Sequence, residues 1–282
     1  MDDVTFLSRI IQESPEGVVH AVWHDNRLDS DALPIVHLDD DGGLSIYGVD
    51  GVNRKTADGN PASSPVPPAS RHKFDDGTLL ARCWRAVHIL NFAKQANDTD
   101  RIFVDVHPNI CADTDVIPAS ISRLVDGILG CGLRLEQVIL QIRSEGYPNY
   151  ENVLKLVSLS RSCGFRIAFS GFGVGGVNLD RMIELEPEFV RIHEHMLHMA
   201  RETPNGLVLL KGMVRILRDL DIHTILCGVH TEYDLAYARQ ANVCMVTGRL
   251  FGEPAPMQPM CRGEGLVRDD VAVTLPKWRS VA

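Results

Sequence analysis

From about residue 76 onward, short apolar runs alternate with segments whose apolar positions recur at helical spacing. The runs are RIFVDV (101–106), QVILQI (137–142), FRIAFS (165–170), EFVRI (188–192), HTILCG (223–228) and VCMVTG (243–248). They are β-branched or aromatic and almost unbroken by polar residues, which is how strands buried on both faces read. Between them lie amphipathic segments at 79–96, 121–130, 151–164, 207–220 and 231–241. Asn149 before the third, Gly164 after it and Thr231 at the head of the last are helix-boundary signals. Upstream, LPIVHL (33–38) and LSIYGVDGV (44–52) flank the acidic glycine turn DDDGG, a hairpin signature. Alternating β and α over this length gives an α/β barrel or an open doubly wound sheet, and close to eight units favour the (β/α)8 barrel.

Two segments break the rhythm. Residues 55–75 are rich in Pro, Ala and Ser and read as a flexible loop within the barrel, and the chain after Pro254 reads as an irregular tail. The domain reading is an N-terminal segment 1–19, a barrel over 20–257 and a tail over 258–282.

Composition narrows the class. A 45% hydrophobic and 23% charged content is that of a globular protein. Uncharged apolar runs all fall short of about 18 residues, so no membrane span is expected, and the acidic N-terminus does not resemble a secretory leader. A net charge of −9 argues against nucleic-acid binding. Seven scattered cysteines without a Cys-x-x-Cys spacing point to reduced thiols in a cytoplasm.

RIAFSGFGVGGVN (166–178) spaces Gly171, Gly173 and Gly176 as Gly-x-Gly-x-x-Gly after a strand-like run. A dinucleotide fingerprint also requires an acid at the end of the next strand. Here that strand ends in Ile192 and His193, so the glycines are expected to serve backbone geometry.

Seven blocks, in order and at matching separations, resemble the EAL domain over residues 20–257. They are LPIVHLDDDGGLSIYGVDGVNR, VDVHP, VILQIRSE, IAFSGFGVGG, EFVRIH, ILCGVHTEYDL and TGRLFGEPAP. The resemblance implies a TIM-like (β/α)8 barrel with an initial β-hairpin whose first strand is antiparallel. It also implies a mouth where the family hydrolyses cyclic di-GMP with two divalent cations.

The matching positions here carry other side chains. The name-giving glutamate is Asp50, followed by Gly51 and Val52. The metal-binding asparagine is Asp105 and the next glutamate Gln141. The paired aspartates are Ser170 and Gly171. The catalytic lysine is Arg191 and its following aspartate His193. The two glutamates around Gly-Val are Cys227 and His230, and the late glutamine is Thr247. Hard divalent ions need several anionic oxygens, and a two-metal site needs them twice. The expectation is a degenerate EAL barrel with no cofactor, acting as a regulator through protein contacts.

Two alternatives accompany it. Arg54, which matches the family's nucleotide-contacting arginine, and Arg191 could let the barrel bind cyclic di-GMP without cleaving it. The bland reading of Arg54 is a pairing with a surface acid. Asp105, His193, Cys227 and His230 fall at strand ends and are chemically suited to zinc, or merely fill the pocket. His195 and His198 could share a helix face or cap a helix end. A homodimer through 171–186, as family barrels pair, is a further expectation.

Overall fold

A computed structural model of the protein describes residues 7, 9–23, 26–39, 42–57, 74–111, 113–143, 149–174 and 179–257. Its strands are β1 (Ile11–Glu13), β2 (Val19–Trp23), β3 (Asn26–Leu38), β4 (Leu44–Ala57), β5 (Ile102–Asp105), β6 (Val138–Arg143), β7 (Arg166–Phe172), β8 (Phe189–Ile192), β9 (His223–Cys227), β10 (Met245–Thr247) and β11 (Ala255–Pro256). Strands β3 to β10 close into a barrel, because β3 pairs with both β4 and β10. β3 is antiparallel to both neighbours, and every pairing from β4 round to β10 is parallel. The expected hairpin and antiparallel first strand are both present.

The helices are α1 (Phe74–Ala93), α2 (Val116–Gly130), α3 (Tyr150–Cys163), α4 (Leu179–Leu185), α5 (Glu194–Glu202), α6 (Pro204–Asp219) and α7 (Glu232–Gln240). The boundary signals work as their chemistry requires. Asn149 accepts from the amides of Glu151 and Asn152, and Gly164 ends α3 in the left-handed region at φ 104°. Thr231 and Asp234 form a capping box at α7.

Two apolar layers hold the barrel. Ile35, Phe103, Ile139, Ala168, Phe189, Ile225 and Met245, each from a different strand, fill its interior. A second, larger cluster joins the outer faces of the strands to the helices. Each fully buried Ile or Phe contributes about 1.5–3 kcal/mol relative to exposure. Barrel strands must bury both faces, so they read as unbroken apolar runs.

The chain departs from the sequence expectations at its edges. β3 starts at Asn26 and β4 runs to Ala57, giving a ribbon far longer than the 33–38 and 44–52 runs implied. Its far half stands beyond the barrel, flanked by β2 and β11, so Leu28, Asp29, Ser30 and Asp31 are buried there despite the polarity of the stretch. Residues 55–57, assigned to the loop, are therefore strand, and 74–75 open α1; the rest of that loop lies outside the described residues. Residues 11–13 of the N-terminal segment pair with β2. Ala255 and Pro256, placed in an irregular tail, pair with β3. The 258–282 segment lies outside the described residues. Among the described residues no helix is long and apolar enough to cross a membrane.

Candidate functional site

Parallel strands place their carboxyl ends at one face of the barrel, where side chains from many strands converge. Register aligns Asp105 with Gln141, Ser170 with Arg191, and Cys227 with Thr247. The resemblance-derived positions on β4 to β10 thus meet at one mouth.

Its centre is Arg191. One guanidinium nitrogen stands 2.7 Å from Asp50 Oδ2 and donates to Gln141 Oε1 at 2.8 Å. Gln141 Nε2 donates to the other Asp50 oxygen at 2.8 Å, closing a three-residue ring. A second guanidinium nitrogen donates to Cys227 Sγ at 3.7 Å. Burial pulls the Arg191 pKa down, but Asp50 and Cys227 together outweigh it and the net direction is up. Arg191 is a fixed cation. Burial also raises the Cys227 thiol, with Arg191 opposing, so Cys227 is kept protonated.

Asp105 has its side chain open to solvent, yet protein crowds it from below. Burial and then the neighbouring Asp50 carboxylate raise its pKa, while Arg143 and Arg191 oppose the rise. The net direction is upward.

A second cluster sits on the long β3–β4 ribbon. Arg54 Nε lies 3.0 Å from Asp31 Oδ1, without aligned hydrogen-bond geometry, and Arg54 reaches within 4.0 Å of Asp29. Both acids are buried, so Arg54 is committed to them. Burial raises the Asp31 pKa, with Arg54 pulling it back and Asp29 pushing it up. Beneath, the buried His88 of α1 contacts Ser30 Oγ at 2.5 Å and Asn53 Oδ1 at 2.8 Å. Burial holds its pKa down at about 3, so the ring is neutral. Between neutral groups, a ring donating to the Asn53 carbonyl and accepting from the Ser30 hydroxyl satisfies both.

The remaining mouth positions serve the framework. Gly171 lies where the β7–β8 register shifts and has φ 84°, a turn that a side chain would strain. A Cβ on Gly228, at φ 82°, would stand 2.4 Å from Glu194 Cβ. The glycines after the strands are thus used for close approach and backbone shape, as the sequence suggested; Gly176 lies outside the described residues. Thr247 donates to the Pro34 carbonyl at 2.9 Å and ties β10 to β3.

His193 caps α5 by accepting from the His195 amide at 3.1 Å. His195 and His198 do share that helix, with ring centroids 6.5 Å apart. His230 Nδ1 accepts from the Arg249 amide at 3.2 Å, and its other nitrogen is 4.0 Å from Glu194. Among the described residues no three His, Cys, Asp or Glu side chains stand together as one metal site. Asp105, His193, Cys227 and His230 are therefore not gathered as zinc ligands, because His193 and His230 hold backbone amides and Cys227 faces Arg191.

Sequence reasoning missed Asp29, Asp31, Glu194 and His88. Asp29 and Asp31 were recoverable, because residues two apart on a strand share a face. His88 left no local signal.

Residues 74–254 match the EAL domain family. An uncharacterized signaling protein of Caulobacter vibrioides is 21% identical over 144 residues, covering 51% of this chain and 18% of that protein. The probable cyclic di-GMP phosphodiesterase PdeA of Escherichia coli is 23% identical over 123 residues, 43% of this chain and 17% of PdeA. The chain thus spans under a fifth of the length of these curated relatives. Among solved structures, Klebsiella pneumoniae BlrP1 in a manganese and cyclic di-GMP complex superposes with a TM-score of 0.72. It is 17% identical, over 88% of this chain and 58% of that one. A standalone EAL protein of Vibrio cholerae bound to cyclic di-GMP gives 0.69 at 19% identity, over 82% and 93%. The match runs through the strands whose ends carry Gln141 and Arg191, and the chain belongs to the EAL-domain family.

Proposed function

We propose that this EAL barrel does not hydrolyse cyclic di-GMP and instead works as a regulatory element of cyclic di-GMP signalling through protein contacts. The observation that carries this reading is the Arg191 guanidinium, 2.7 Å from Asp50 and 2.8 Å from Gln141. Both Asp50 oxygens are engaged within the chain. Divalent ions of the magnesium or manganese type need several free anionic oxygens around each ion. Here Gln141, Ser170, Gly171, Cys227 and His230 offer no carboxylate, and a permanent cation stands among the positions. The residues do not fit a pair of metals, so no catalytic step is derived through them.

The receptor alternative requires arginines available to phosphate. Arg191 faces Asp50, and Arg54 faces Asp31 and Asp29, so a nucleotide would have to displace intramolecular acids from each. That disfavours binding. For protein contact, Val174 and Ile183 are exposed apolar side chains within the 171–186 region. A second copy packing there would cover them.

Calorimetric titration with cyclic di-GMP, with manganese and without it, tests the reading. No saturable heat is expected at ligand concentrations up to about 1 mM, which corresponds to binding weaker than about −4 kcal/mol. Micromolar binding that Arg54→Ala abolishes would establish the receptor reading instead.

A further inference from the structure

The amino ends of the strands form the opposite rim, away from the mouth. There Cys244 immediately precedes β10, and His223 opens β9. The parallel register pairs Met245 with Ile225, which sets Cys244 level with Thr224 and one residue from His223. The Cys244 amide donates to Thr224 Oγ1 at 3.1 Å, and that bond fixes the cysteine backbone against β9. The His223 ring packs at 5.6 Å on Phe189 of the barrel interior, and Cys244 packs against that same interior cluster, which brings the two side chains together. His223 is exposed and Cys244 half-buried, so a small solute reaches both.

We propose that Cys244 and His223 form a thiolate–imidazolium pair on this rim, a modification site where Cys244 is oxidised by hydroperoxides. The sulfur attacks the terminal peroxide oxygen, an S–O bond forms and the O–O bond breaks. The leaving oxygen takes its proton from the His223 imidazolium and departs as water or an alcohol. Sulfur loses two electrons to sulfenic acid while the peroxide is reduced.

Four other thiols are set differently. Burial pushes Cys83 and Cys111 up to about 12 and raises Cys131 and Cys227. Cys244 moves the other way, to about 7: the His223 side chain lowers it first, burial opposes, and Thr224 helps. His223 is raised by its bond to Cys244, with burial and Arg166 opposing and Asp221 assisting. Arg166, from β7, and Asp221, between α6 and β9, are the charged groups acting on the ring. A cysteine beside a histidine and partly open to solvent has the setting of a reactive thiol.

Rate profiles of iodoacetamide labelling, read peptide by peptide from pH 5.5 to 9.5, test the pair in the folded protein. Cys244 should titrate near pH 7, and at pH 7 it should react roughly threefold faster than an ordinary thiol of pKa about 8.5. The gain in thiolate, roughly 16-fold, is partly offset by lower nucleophilicity. His223→Asn should move the Cys244 midpoint above 8 while the profile of Cys163 stays in place. Hydrogen peroxide followed by dimedone should tag Cys244 in the wild type and much less in His223→Asn. An unshifted midpoint in His223→Asn, or a Cys244 midpoint above 8 in the wild type, would overturn the proposal. So would dimedone adducts spread equally over the cysteines.

Discussion

Arg191→Ala should lower the stability of the barrel by about 3–5 kcal/mol in urea denaturation, the cost of leaving a buried charge without its partner. Asp50 would lose its cation, Gln141 the donor to its carbonyl, and Asp105 a nearby positive charge. Two carboxylates would then share a confined mouth. Asp105, whose pKa burial and Asp50 raise, would lose the Arg191 charge that opposes the rise and so bind its proton still more tightly in the folded state. The loss should therefore grow as pH rises above about 4, and shrink in acid. Replacing Asp50 and Arg191 together with apolar residues of similar size, Asp50→Leu with Arg191→Met, should restore most of the stability, since the deficit belongs to the broken pair. An Arg191→Ala protein within 1 kcal/mol of the wild type would mean that the ring of Asp50, Gln141 and Arg191 does not hold the mouth together.

The second large effect lies at the junction of α5 and α7. Asp234 has a fully buried side chain that accepts from the amides of His230 and Thr231 at 3.0 and 2.9 Å, and from Arg201 at 2.6 Å. Burial alone would raise its pKa, but these amides, Thr231 and Arg201 together lower it. Asp234→Ala removes its half of the capping box and the acceptor for two amides at once. We expect a loss of about 3 kcal/mol, the cost of two backbone amides and Arg201 left without their acceptor. Asp234→Asn should recover part of it, because an amide oxygen still accepts from the two amides while the ion pair is gone. Thermal unfolding of the three proteins at one pH reads both effects. Equal losses for the Ala and Asn variants would assign the whole effect to the Arg201 pair.

The strands of the barrel were readable because each buries both faces and leaves an apolar run, as in Val138–Ile142 and Phe189–Ile192. The mouth positions were readable because they lie near the carboxyl ends of those runs, where the blocks that resemble the EAL domain place its site. The polar half of β3 was hidden, since Asp29, Ser30 and Asp31 are buried by partners that lie elsewhere in sequence: Arg54 and His88. α5 was missed for a related reason. EHMLHMARE begins only two residues after a strand, and its cap is His193, a residue outside the usual capping set. What no single sequence conveys is the pairing of side chains that close the mouth. Gln141 meets Arg191 and Asp50 from 50 and 91 residues away along the chain, and no local pattern encodes such a meeting.

That closure also separates two ends of one barrel. At the mouth, an internal cation stands among positions where the family resemblance implies metal ligands. At the opposite rim, Cys244 and His223 are accessible and uninvolved in that network, so chemistry there would act on the barrel without requiring the mouth to turn over.

The account rests most directly on turnover. Purified protein incubated with cyclic di-GMP and an excess of manganese, with products resolved by chromatography, should show no linear dinucleotide above a protein-free control. Steady conversion to the linear product that Asp50→Asn abolishes would contradict it.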